Sequence, residues 1–485
     1  MAEPLDDPAA PWLWQRAGLT PRDLALRCDD RDFSFAELAE SGEATARGLR
    51  ARGVEAGDRV AVLASGSVRF VELLHAVQRL QATLVPLNVR LTPTEVKELL
   101  VDCQPRLLLF DDAASRLACD AVPETLEAID IDSLDDSGAR GDLPPPRLDP
   151  GRVHTIVYTS GTTGKPKGAM LTHANHFASA RASRANLGAR PGDRWLAALP
   201  LYHVGGLSIL LRGVIDGSAV VLHRGFDADR VEQSLREDGI TLTSMVSTML
   251  RRLIDRVAGG PRPSSLRAIL VGGGPVPAEL VEQAFALGLP ALATYGLTET
   301  ASQVATWTLA RDGTGRDGAG RALGDSRFRI AEPDERGHGE ILVSGPTVMA
   351  GYFRRPEETE RALRGGWLHT GDIGHLDGSG CLHVHDRRSD LIISGGENVY
   401  PAEVEAVLLS HPDVGEAAVY PLPDPEWGQR VSAAVVLRAG RRLEDDELRD
   451  WCAARLARFK LPRTIRFVAS LPRTASGKVK RRELV

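Results

Sequence analysis

The sequence predicts an α/β protein in two parts, a large N-terminal domain over residues 1–385 built mainly of βαβ subdomains and a small α+β C-terminal domain over 386–485. Three observations carry that expectation. The chain has 485 residues, too many for one hydrophobic core. Through most of its length short apolar runs alternate with helix-periodic stretches, the pattern of βαβ units and a largely parallel sheet. Near Asp386 the texture changes: a charged stretch, Asp386-Arg387-Arg388-Ser389-Asp390, precedes a compact mixed pattern that runs to the end.

In chain order, residues 36–48 and 68–80 read as helices, and 60–63, 83–87 and 107–110 as strands. Residues 135–151, DDSGARGDLPPPRLDPG, are loop chemistry throughout. The alternation resumes with strands at 195–199, 219–222, 241–246 and 268–271. In the C-terminal part 402–410 and 444–458 read as helices, and 416–420 and 431–437 as strands.

A net charge of −6 argues against nucleic acid as the main partner, since phosphate backbones need a basic surface. The opening Met1-Ala2-Glu3-Pro4-Leu5-Asp6-Asp7 is acidic and proline-broken, unlike a signal peptide. Apolar runs such as 431–437 fall far short of the roughly 20 residues that cross a bilayer, so no membrane insertion is expected. Cys28, Cys103, Cys119, Cys381 and Cys452 are odd in number and lack metal-ligand spacing. They read as reduced, mostly buried thiols of a cytoplasmic protein. Of 59 Lys plus Arg only six are Lys, and five of those sit in 165–167 and 460–480. Lysine is a compact point charge where arginine is a rigid fork. Lysines kept in an arginine-rich chain are therefore candidates for jobs that need a point charge.

The sharpest local signal is Thr159-Ser160-Gly161-Thr162-Thr163-Gly164-Lys165-Pro166-Lys167-Gly168, flanked by strand-like residues at 155–158 and 169–172. Glycines let backbone N–H groups come close, hydroxyls donate to oxygens and lysine adds charge, which suits a polyphosphate. The spacing is not that of a Walker A loop, and Pro166 with a following strand replaces the required helix.

This decapeptide resembles the phosphate loop of the adenylate-forming superfamily of acyl- and aryl-CoA ligases, amino-acid adenylation domains and luciferases. Further segments resemble its other motifs in register: LPLYHVGGL at 199–207, Gly272-Gly273-Gly274-Pro275, YGLTET at 295–300, Thr370-Gly371-Asp372, the region 386–403, Phe459-Lys460-Leu461-Pro462 and PRTASGK at 472–478. The resemblance implies an ATP-dependent acid–thiol ligase with Mg²⁺ as cofactor and CoA as co-substrate. It also implies a small domain that rotates between two half-reactions.

The roles it implies follow residue by residue. Thr159, Ser160, Gly161, Thr162, Thr163, Gly164 and Lys167 would hold the phosphates. Gly273, Gly274, Tyr295, Gly296 and Thr298 would surround the nucleotide, with Tyr295 stacked on adenine. Asp372 would accept from the ribose hydroxyls, assisted by Arg387. Glu299 would hold Mg²⁺. Lys478 would place its ammonium between the attacking carboxylate and the α-phosphate, a reaction of two anions that calls for positive charge and fixed geometry. His203 would gate the acid pocket or meet a substrate carboxylate, beside Ser208, Gly272, Ser302 and Gln303. Ser389 stands where the hinge residue falls, and Gly395, Gly396 and Glu397 would face the thiol tunnel.

Among subfamilies, YGLTETASQVAT at 295–306 and DRRSDLIISGGENVYPAEVE at 386–405 resemble the o-succinylbenzoate–CoA ligases of menaquinone biosynthesis. Another acyl- or aryl-CoA synthetase, acting on a benzoate or a medium-chain acid, stays open. So does an inactive relative that binds nucleotide or acyl-CoA as a sensor. An amino-acid adenylation domain fits less well, because LPLYHVGGLS lacks an acidic partner for an α-amino group. Both a monomer and a homo-oligomer are compatible with the sequence.

Overall fold

The computed structural model describes residues 4–134, 143, 147–159, 166–257, 263–274, 276–307, 318–386, 391–472, 479 and 481–484. Among these residues four sheets form. The largest has a parallel centre made of Leu24–Cys28, Ala219–Leu222, Arg194–Ala197, Leu242–Met245, Ala268–Val271 and Ala291–Leu297, in that spatial order. The second has a parallel run of Ala128–Asp130, Leu107–Phe110, Arg59–Leu63, Thr83–Pro86 and Val153–Thr159, followed by the antiparallel strands Lys167–Thr172 and Gly351–Tyr352. Runs such as Leu-Leu-Leu-Phe at 107–110 and Ala-Val-Val-Leu at 219–222 are almost wholly buried, as strands covered on both faces must be.

The helices between them start where their caps say they should. Ser34 and Glu37 close a capping box on Phe35–Ala51, Thr92 and Glu95 on Pro93–Cys103, and Thr172 and Asn175 on His173–Leu187. Their apolar faces meet in one core that joins both large sheets, with Trp12, Phe35, Phe70, Leu74 and Leu207 fully or nearly fully buried.

Two features depart from the sequence expectation. A third sheet, Arg327–Ala331, Gly339–Ser344, Trp367–Leu376, Leu363–Arg364 and Leu382–Asp386, is antiparallel throughout. It gave no βαβ signal, because hairpin strands with one wet face carry no long apolar run. The helix expected over 444–458 ends at Ala453 and gives way to a 3₁₀ turn at Arg458–Lys460. That turn carries Lys460 into a buried contact described below, so tertiary packing overrides helix propensity there.

The fourth sheet holds Glu397–Val399, Ile392–Ser394, Gly428–Leu437, Val414–Asp424 and Thr464–Phe467. With Pro401–Leu409 and Asp445–Ala453 it encloses a separate core of Val404, Leu408, Val419, Val431 and Leu448. The α+β character expected for the C-terminal part is observed.

Candidate active site

A cleft of about 550 Å³ opens where the three N-terminal sheets and the 391–400 segment meet. Its nucleotide end begins at Thr159 and Lys167, which are register partners on facing strands and both line the cleft. The Lys167 ammonium lies 5.4 Å from the ring centre of Tyr352, and the Tyr352 hydroxyl donates to Glu299 Oε1 at 2.7 Å. Lys167, Glu299 and Tyr352 thus form one corner, with Thr298 beside them on the cleft wall. Tyr352 was not singled out in the sequence, since the two-residue strand that carries it, Gly351–Tyr352, has no motif of its own. Carboxylate and hydroxyl oxygens at this corner fit a hard cation such as Mg²⁺.

Asp372 is 5% exposed and lines the cleft. Its backbone N–H donates to Thr370 Oγ1, which donates to the carbonyl of Ile341, so the turn is held from both sides. Tyr295 does not line the cleft. Its hydroxyl donates to Asp372 Oδ2 at 2.7 Å, and its ring packs against Phe328 with centroids 6.4 Å apart. Tyr295 is thus tied to the site through Asp372. Gly272, Gly273 and Gly296 all line the cleft. A Cβ on Gly296 would lie 2.2 Å from the Ser302 carbonyl, so only glycine lets these strands meet. Gly274 sits outside the lining, with Ile393 against it.

The acid end is built around a strained turn. Ala301 and Ser302 have φ of 51° and 99°, conformations costing about 1–3 kcal/mol each that persist where the surroundings over-determine them. The Ser179 hydroxyl anchors the Ala301 carbonyl at 2.7 Å, and the Thr300 hydroxyl the Ser302 carbonyl at 3.0 Å. The turn presents Ser302 and Gln303 to the cleft. Ser302 Oγ receives Ser208 Oγ and an Arg212 guanidinium nitrogen, each at 3.4 Å.

Arg212 is the functional residue that sequence reasoning missed most plainly. It lies on the apolar helix Val204–Asp216, is 2% exposed and yet lines the cleft. Burial lowers its pKa to about 10 and raises that of nearby Asp216 to about 7. The guanidinium lies over Trp195, and its Nε has no hydrogen-bond partner among the described residues. One arginine inside an otherwise apolar helix was the available signal.

The other wall comes from the C-terminal part. Gly396 and Asn398 line the cleft, and the buried Glu397 between them meets residues of the large part. The Glu397 carboxylate accepts from Tyr202 at 3.1 Å and from Arg90 at 3.0 Å, and lies 3.2 Å from His203 Nε2. Burial alone would raise the Glu397 carboxyl; His203 and Arg90 overcome it and bring it down to about 2. The turn before it needs glycine: Gly395 and Gly396 have φ of 62° and 86°, and a Cβ on Gly395 would meet the Trp427 ring at 2.5 Å.

Further along, the Lys460 ammonium donates to Glu95 Oε1 at 2.7 Å and to Glu403 Oε1 at 2.6 Å. All three side chains are about nine-tenths buried or more. Burial would lower the Lys460 pKa, but the two carboxylates raise it. The residues expected at 160–164, 387, 389 and 478 lie outside the described residues, so Ser160, Gly161, Thr162, Thr163, Gly164, Arg387, Ser389 and Lys478 are not placed.

Residues 13–353 match the family described as AMP-binding enzyme, and 403–478 match the AMP-binding enzyme C-terminal domain. A 2-succinylbenzoate–CoA ligase of Geobacillus kaustophilus (strain HTA426) is 44% identical, covering 98% of this chain and 96% of its own. Among solved structures, three complexes of the o-succinylbenzoate CoA synthetase of Bacillus subtilis each cover 98% of this chain, the first two also covering 98% of their own. A double mutant bound to the product analogue OSB-NCoA is 41% identical with a TM-score of 0.92. The complex with the acyl-adenylate OSB-AMP is 41% identical with a TM-score of 0.75. The complex with ATP and magnesium is 40% identical, covers 99% of that chain and has a TM-score of 0.73.

Proposed function

The chain belongs to the AMP-binding enzyme family, and from that premise we propose that it joins 2-succinylbenzoate to CoA with ATP, through an acyl-adenylate. The observation that carries the choice of acid is Arg212. A buried guanidinium on the wall of the acid cleft calls for an anion, since a buried charge without a partner is costly. A dicarboxylate fits: one carboxylate reacts while the other meets Arg212, Ser302 and Gln303. A benzoate or a fatty acid would leave the guanidinium with only its hydrogen bond to Ser302 and the charge of Asp216, a carboxyl that burial itself pushes up.

In the first half-reaction a carboxylate oxygen attacks the α-phosphorus, forming a P–O bond as the bond to pyrophosphate breaks. Lys167 draws charge from the phosphates, Asp372 orients the ribose, and Lys478 is assigned the point charge between the anions. Magnesium supplies charge neutralisation on the phosphates, with Glu299 to hold it. In the second half-reaction the CoA sulfur attacks the acyl carbonyl, AMP leaves with the bonding pair, and the thiol proton is released to solvent.

The arrangement of the two parts supports the second of these steps. The likeness to one relative is greatest for its complex with a CoA-product analogue and lower for its adenylate and ATP complexes. Here the 395–398 turn closes the cleft and Glu397 is clasped by Arg90, Tyr202 and His203. We assign the boundary between a mobile small domain and the large one to the segment beginning at residue 386. Five free cysteines support a cytoplasmic site of action, and among the described residues no helix is long and apolar enough to cross a membrane.

The test is ATP–pyrophosphate exchange with 2-succinylbenzoate, benzoate and octanoate side by side. Exchange should be fastest with the dicarboxylate. Faster exchange with either monocarboxylate would overturn the choice of acid while leaving the reaction class intact.

A further inference from the structure

We infer that His338, His375 and His385 form a binding site for a first-row transition-metal dication, of which zinc is the best match, separate from the magnesium corner of the cleft. The antiparallel sheet brings them together from three neighbouring strands. His338 directly precedes Gly339–Ser344, whose Gly339 pairs with Gly374 on the central strand. His375 follows Gly374 and pairs with His383, and His385 lies two residues further along that strand, at a shift in the pairing register, with its ring 4.7 Å from that of His375.

The three rings are packed as a group. Their centroids are 5.1 Å (His338–His375), 4.2 Å (His338–His385) and 4.7 Å (His375–His385) apart. One nitrogen from each lies within 4.8 Å of the other two, and His375 Nδ1 is 2.5 Å from His385 Nε2. Zinc bound at about 2.0–2.1 Å by three imidazoles in a tetrahedral set holds their nitrogens about 3.3 Å apart. That spacing falls within the 4.8 Å that bounds the trio, and His375 and His385 would part from their 2.5 Å hydrogen bond to reach it.

The chemistry selects the ion. Three imidazoles and no carboxylate suit zinc, nickel, copper or cobalt and not magnesium or calcium. His385 is exposed and the other two are half-buried, so an ion can reach the trio from solvent. Around the ligands, His383 stacks on His375 at 4.6 Å and 17°, and its Nε2 lies 3.4 Å from Asp377 Oδ2. On the other side Asp334 accepts the His338 backbone N–H at 2.8 Å and fixes that loop.

Asp377, Cys381 and His383 make a second group close enough to ligate. There Asp377 Oδ1 is taken by the backbone N–H groups of Ser379 and Cys381, and Cys381 is fully buried. The open, all-imidazole trio is therefore the site. It lies three residues beyond Asp372 on the same strand, so a bound ion would tie the strands that carry the ribose turn.

The experiment uses the full chain without an affinity tag, stripped with EDTA and titrated with Co²⁺, whose visible spectrum reports imidazole ligation. One saturable equivalent is expected, displaced by Zn²⁺, with the metal also raising the thermal midpoint. The double variant His338→Ala/His385→Ala should lose the spectrum and weaken binding by more than about 100-fold, since losing even a partner that only orients a ligand costs about 10- to 100-fold. Its ATP–pyrophosphate exchange should stay at the wild-type rate, which separates this inference from the reaction proposed above and shows that the variant is folded. If the double variant misfolds, the exposed-site change His385→Asn provides the same readout. Absence of saturable Co²⁺ binding, unchanged binding in these variants, or binding lost only in Cys381→Ser would overturn the assignment.

Discussion

Arg212 and Glu397 set the electrostatics of the acid end from opposite walls. Replacing Arg212 with Gln removes a charge-assisted pair worth about 1.5–3 kcal/mol. The KM for 2-succinylbenzoate in pyrophosphate exchange should rise roughly 10- to 150-fold, while exchange with benzoate should not fall. An unchanged KM for the dicarboxylate would remove Arg212 from the acid site. Glu397 has a folded pKa of about 2 against an ordinary 4.5. A depressed carboxyl adds stability that is fully present above 4.5 and is lost as pH falls through about 2. The stability gap between wild type and Glu397→Gln, read by urea unfolding, should accordingly close between pH 4.5 and 2. Much of this scale was legible in sequence: Lys167, Glu299, Ser302, Gln303, Asp372 and His203 line one cleft because their motifs prescribe local turns. Arg212 and Tyr352 were not legible, because their roles arise from which helix and strand face the cleft.

The alternation of apolar runs with amphipathic stretches was enough to place the parallel strands, since a run like Ala268–Val271 admits few other readings. The antiparallel sheet of 327–386 escaped it, because its pairings are set by registers between strands rather than by any periodicity within one. The Ser394–Glu397 turn, by contrast, was visible from its two glycines. Gly395→Ala puts a side chain at φ 62°, costing about 1–2 kcal/mol, and drives a Cβ against Trp427. The turn should shift and loosen the grip on Glu397. Thioester formation from supplied acyl-adenylate should fall about tenfold, the effect of 1.4 kcal/mol, with adenylate formation retained. Equal rates in both half-reactions would show that the turn does not serve the thiol step.

At the scale of the whole molecule the two parts are joined through buried charge. Glu95 both caps its own helix and accepts from Lys460, whose second partner is Glu403. The retained lysine and the Phe459-Lys460-Leu461-Pro462 motif pointed to 460 in the sequence, but its partners lie 365 and 57 residues away, beyond any local pattern. Breaking a buried pair by removing one partner costs about 3–5 kcal/mol, and in this case the cost falls on one arrangement of the two parts. Lys460→Met should therefore slow thioester formation at least tenfold while pyrophosphate exchange stays within about twofold. Parallel loss in both would make Lys460 a general stability element.

The central claim, an acyl-adenylate made before CoA is used, is tested by rapid quench of the enzyme with ATP, magnesium and 2-succinylbenzoate in the absence of CoA. A stoichiometric burst of pyrophosphate with enzyme-bound acyl-adenylate is expected, and added CoA should convert that adenylate to thioester and AMP. No pyrophosphate until CoA is present, or ADP and phosphate in its place, would contradict it.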